Sequence, residues 1–85
     1  MTKAEKIFIE SMKTKRGIDF ARIGMMVEVS GDIGTIKGMN HSRNLDVVFA
    51  NALKHGKGKH NCHPTWDILY FGKDGEIVKD YRNKL

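Results

Sequence analysis

Residues 24–49, GMMVEVSGDIGTIKGMNHSRNLDVVF, decide the fold. Val27 and Val29 alternate with Glu28 and Ser30, the period of a half-buried strand. Ser30-Gly31-Asp32 interrupts the run with turn residues. Ile33, Thr35 and Lys37 then alternate with Gly34, Ile36 and Gly38. This second strand is predicted to bend, because a strand glycine offers no side chain to oppose curvature. Asn40 to Asn44 is a polar turn, and Leu45 to Phe49 is a third strand.

The pattern continues on both sides of this stretch. Ala50 to Lys59 reads as a long polar loop whose glycines, Gly56 and Gly58, keep its tip flexible. Lys59 to His63 is a short strand ended by Pro64, which lacks an amide donor. Thr65-Trp66 is predicted to form one 3₁₀ turn before a strand over Asp67 to Phe71. Lys73-Asp74-Gly75 carries a hairpin signal, and Glu76 to Tyr81 returns as the last strand, leaving Asn83 to Leu85 to fray. Upstream, Thr2 and Glu5 form a capping box for a helix to about Thr14, stopped by Gly17. A helix this short is marginal alone and is expected to dock through Ile7, Phe8 and Met12, with Ile9 off the stripe. In the connector, Ile18, Phe20 and Ile23 are expected inside, with Asp19 and Arg22 outside.

The chain has 85 residues and predicts one domain over 1–85, with its helix in 1–17 and its strands in 22–81. Fifteen Lys and Arg face ten Asp and Glu, for a net charge of +5 with neutral His. Between Ile33 and Trp66 five basic residues meet one acid, Asp46, so the excess is local and predicts a basic face. Nucleic acid, an acidic protein surface or anionic lipid can each answer such a face. The one cysteine, Cys62, permits no intramolecular disulfide, which fits a reducing cytosol. No apolar run approaches the roughly 20 residues of a membrane span. The expectation is a soluble, cytoplasmic chain with no membrane association.

The order of strands and turns resembles an SH3-like small β-barrel. The stretch from Gly24 to Gly38 is similar to KOW and Tudor-like members, in which a strand leads through glycine to a Gly-x-Ile/Val strand. The segment Asn61-Cys-His-Pro-Thr-Trp-Asp-Ile-Leu-Tyr-Phe is similar to small proteins of phages and prophages. The resemblance implies a mostly β fold: an SH3-like barrel of five to six antiparallel strands with an N-terminal α-helix. It also implies a binding module, for nucleic acid or for protein, a choice that fold alone does not fix.

Arg43, Lys54, His55, Lys57, Lys59 and His60 are the candidate nucleic-acid-binding residues. Lysines on a glycine-rich loop reach phosphates without reading bases, whether DNA or RNA. The competing reading is a solvated loop that only aids solubility. The alternative function is a phage-type protein that binds and modulates a host protein, a defence or transcription factor. Trp66 and one of Tyr70 or Phe71 are expected in the core; on the surface they would be able to stack on bases. His60, Cys62 and His63 are metal-competent but lack the paired spacing of a zinc site, so no metal and no cofactor are expected. Neighbouring strand residues face opposite sides, which keeps Cys62 and His63 from acting as a thiol–imidazole pair. No enzyme chemistry is expected.

Overall fold

In the computed structural model, which describes residues 2–82, strands β1 (Met26–Val29) and β2 (Asp32–Met39) pair with Val29 opposite Asp32. Only Ser30 and Gly31 lie between them, with φ of 50° and 89°. Two consecutive positive φ values give the hairpin turn whose twist matches the flanking strands. The remaining strands are β3 (Leu45–Phe49), β4 (His60–Cys62), β5 (Ile68–Phe71) and β6 (Ile77–Asp80). All pairings are antiparallel, in the order β4-β3-β2-β1-β5-β6. The result is an open six-stranded sheet with β4 and β6 as its edges. Barrel closure by strand pairing is not seen among the described residues.

The expected bend in β2 is present. The β2–β3 register shifts between Ile36 and Gly38, leaving Lys37 as the extra residue of a bulge. Just before it, Gly34 lets β3 approach closely: a Cβ there would lie 2.6 Å from Val47 Cγ1 and 3.2 Å from Phe49 Cδ1. The inward row Val27, Ile36, Leu45, Val47, Ile68 and Tyr70 is almost fully buried.

Helix α1 (Lys3–Arg16) covers that row. Thr2 and Glu5 form the predicted capping box, and Gly17 ends the helix at φ 68°. Phe8 and Met12, one turn apart, join the buried cluster, with Ile9 packed at its margin. Ile7 was expected to dock and instead stands 51% exposed. The helix is rotated so that its inward stripe runs through Phe8, Met12 and Arg16. Ile18 is buried in the connector, Phe20 and Ile23 are half-buried, and Asp19 and Arg22 face out, as their pattern predicts.

Two connections differ from expectation. Residues 52–55 form a short helix, α2 (Ala52–His55), where an unstructured loop was predicted. Asn51 caps it, its Oδ1 accepting from the Lys54 amide at 3.2 Å. The predicted 3₁₀ turn is a β-turn centred on Pro64 and Thr65, with the Trp66 amide 3.4 Å from the His63 carbonyl. The hairpin through Lys73–Gly75 forms as predicted. The expectation that residues 83–85 fray lies outside the described residues. No helix among the described residues is long and apolar enough to cross a membrane.

The rotation of α1 predicts unequal costs on its two apolar positions. Phe8→Ala should lose about 3–5 kcal/mol in chemical denaturation, because it empties a filled core position. Ile7→Ala should stay within about 0.5 kcal/mol.

Candidate functional site

The segment from His63 to Asp67 joins β4 to β5 and is fixed at several points. Pro64 is fully buried, and its carbonyl accepts the Tyr70 hydroxyl at 2.6 Å. The Asp67 carbonyl accepts the Ser30 amide at 3.0 Å, tying the link to the β1–β2 turn. The Thr65 amide donates to His63 Nδ1 at 3.2 Å. Asp67 has φ 47°, a left-handed conformation that Asp tolerates better than most residues.

Trp66 lies on this link and corrects the sequence reading. It was expected in the core and is 70% exposed. Pro64 and Ile68 take the inward positions on either side of it. Its indole lies flat on the His63 ring, with centroids 4.0 Å apart and planes 8° from parallel. Of the other two aromatics weighed for the core, Tyr70 is fully buried and Phe71 half-buried.

Arg16 holds His63 from behind. Its Nε donates to the Arg43 carbonyl at 3.1 Å, and its Nη2 donates to the Ser42 carbonyl at 2.9 Å and Asn44 Oδ1 at 2.6 Å. A fourth contact places a guanidinium nitrogen 3.3 Å from His63 Nε2. Nδ1 also lies 3.2 Å from the Thr65 hydroxyl, so a neutral ring that accepts from Arg16 at Nε2 can donate its one N–H there. Desolvation first, and the Arg16 charge second, push the His63 pKa below its usual value.

The six predicted residues divide into three sets. Lys54 and His55 converge on Asp32, at 3.1 Å and 3.0 Å from its Oδ2. The Lys54 ammonium, then burial in the opposite sense, then the His55 ring set the Asp32 pKa, and the balance is downward. His55 also packs on Phe49 at 4.3 Å between centroids, and His60 Nε2 lies 2.6 Å from the His55 carbonyl. Lys57 and Lys59 form the second set: both are exposed, and neither side chain has a partner among the described residues.

Arg43 is the third set. It sits on the β2–β3 turn at φ 62°, its guanidinium donating to the His41 carbonyl at 3.3 Å and its Nε buried without a hydrogen-bond partner among the described residues. The turn precedes β3 and α2 follows it, so about 17 Å of strand separates Arg43 from the lysine loop. No contact links Arg43 to Lys54, Lys57 or Lys59 among the described residues.

Two residues of this region escaped the sequence reading. Arg16 looked only like a favourable charge at a helix end, and Asp32 only like a turn residue. Neither has a sequence signal for its partners, which lie 22 or more positions away.

Cys62 is buried, and desolvation with Asp46 nearby pushes its thiol pKa up, which makes it a poor nucleophile. No group of three metal-competent side chains gathers among the described residues. A cavity of about 420 Å³ beside Met25, Met26 and Phe71 contains none of the predicted residues. A smaller notch of about 300 Å³ lies between Thr65, Trp66, Asp67 and Tyr81. Compared with known proteins, the chain matches no family model, no curated protein and no solved structure.

The setting of His63 fixes its titration. A histidine whose folded pKa is lowered destabilises the fold as pH falls below the unfolded value of about 6.5, because the unfolded chain binds the proton first. NMR titration should show His63 titrating below 6.5. Arg16→Gln should move it part of the way back up, leaving the desolvation effect in place.

Proposed function

We propose that this chain is a non-enzymatic nucleic-acid-binding module built on an SH3-like small barrel, acting in the cytoplasm. The antiparallel order β4-β3-β2-β1-β5 supports the barrel reading, with the β4–β5 link crossing between strands that are not paired. One observation carries the functional reading: Lys57 and Lys59 are exposed, without a partner among the described residues, on a connection whose root is pinned by Asp32. A charged side chain without an internal partner is available to a phosphate, and its anchored root lowers the entropy lost on contact. Lys54 is a weaker contributor than its sequence position suggests, because Asp32 already neutralises it.

The second reading, modulation of a host protein, draws support from Leu53. It is fully exposed on α2, beside Lys54. An exposed leucine beside lysines suits an acidic protein surface with an apolar centre.

Binding of labelled random-sequence oligonucleotides at several salt concentrations separates the two. Each phosphate neutralised contributes a log–log slope of about −0.9 on duplex and about −0.7 on single strands. Changing Lys57 and Lys59 together to Ala should flatten the slope by about one to two units and weaken all sequences alike. Asp32→Asn, which releases Lys54, should steepen it by up to about one unit. No binding at low salt would reject the nucleic-acid reading and leave the protein-partner reading.

A further inference from the structure

We infer that the notch between Trp66 and Tyr81 receives one unstacked nucleobase, with Asp67 as its hydrogen-bond acceptor, so that the chain prefers single strands. This rests on the nucleic-acid reading above and specifies the part of the ligand that the lysines do not touch. Trp66 presents a large apolar ring to solvent from a link that is held by buried Pro64, the Tyr70 hydroxyl and the Ser30 amide. His63 backs one part of the indole and leaves most of it open. Tyr81 borders the other side of the notch and is itself held against Phe20, with ring centroids 6.3 Å apart and planes 29° from parallel. Both sides are thus fixed before any ligand arrives, which removes much of the ordering cost of binding.

Charge selects the class of ligand. Lys79 already lies over the Tyr81 ring, 5.4 Å from its centroid. Arg82, held by Asp80 at 3.0 Å, is close enough to Asp67 to feel its charge. A cationic ligand would meet both. A flat neutral heterocycle attached to phosphate meets the indole face and the Lys79 ammonium instead, with Arg82 already engaged by Asp80. The notch has one carboxylate, Asp67, which is exposed and has no hydrogen-bond partner among the described residues. A carboxylate accepts from base N–H groups, and guanine offers adjacent ring and exocyclic donors where thymine offers one ring donor. Guanine is therefore favoured over thymine.

Trp66 is the only tryptophan in the chain, so its fluorescence reports this site alone. The probes are a labelled heptathymidylate, the same heptamer with guanine at its centre, and a duplex of matching length. Label anisotropy and Trp66 emission are read together on the full chain. The guanine heptamer should bind more tightly than the heptathymidylate and quench Trp66. Trp66→Ala, at an exposed position that leaves the core intact, should weaken both single strands by about fivefold or more. Asp67→Asn keeps a residue type that tolerates positive φ, and should remove the guanine preference while sparing heptathymidylate affinity. Binding without quenching, unchanged affinity in Trp66→Ala, or equal affinity for the two heptamers would overturn the inference and leave the lysine reading standing. Failure of all three probes to bind would overturn both.

Discussion

The hydrogen bond from the Tyr70 hydroxyl to the Pro64 carbonyl is the constraint on which the rest depends. Tyr70 is the largest fully buried side chain and sits on β5 opposite Val27 of β1. Burial pushes its pKa far up, so the phenol stays a donor, and a buried donor without an acceptor would cost about 1–3 kcal/mol. Pro64 supplies the acceptor only if the β4–β5 link turns inward at that residue. Once it does, Pro64 and Ile68 fill the interior and Trp66 has no inward position to occupy. The exposed aromatic surface is a consequence of how the core is closed.

Arg16 makes a second closure from the other side. Four contacts from one guanidinium join the end of α1 to the β2–β3 turn and to His63. Helix, turn and link therefore hold one another, and the ring under Trp66 is fixed by residues far from it in sequence. Lysine in place of Arg16 could not supply this, since its single point of charge lacks the planar fork. The same geometry keeps His63 uncharged near neutral pH, which leaves a neutral ring for the indole to stack on.

Much of the fold was legible because its signals are local. Val27 and Val29 alternate, Ser30-Gly31 turns, Gly34 and Gly38 bracket a bulge, and Thr2 with Glu5 caps a helix; each needs only a few neighbouring residues. The misreadings came where the deciding partner is distant. Trp66 reads as core by residue type, and only the Tyr70–Pro64 bond shows why the chain turns it out. Ile7 and Phe8 are adjacent apolar residues on a helix, and which one docks depends on how the helix sits on the sheet. The loop over 50–59 lacks a carboxylate of its own, yet Asp32 arrives from the β1–β2 hairpin and claims Lys54 and His55. Arg43 looked close to the lysines because β3 is short in sequence, although an extended strand covers much space with few residues.

Two surfaces on this scaffold then have a physical reason to act together: lysines with no partner among the described residues, and a rigid aromatic link beside the exposed Asp67 carboxylate. Amide chemical-shift mapping during titration with a single-stranded guanine-containing heptamer tests that pairing most directly. The account predicts perturbations concentrated at Lys57 to Lys59 and at His63 to Asp67. Perturbations confined to the outer face of α1 around Ile7, or to the cavity beside Met26 and Phe71, would contradict it.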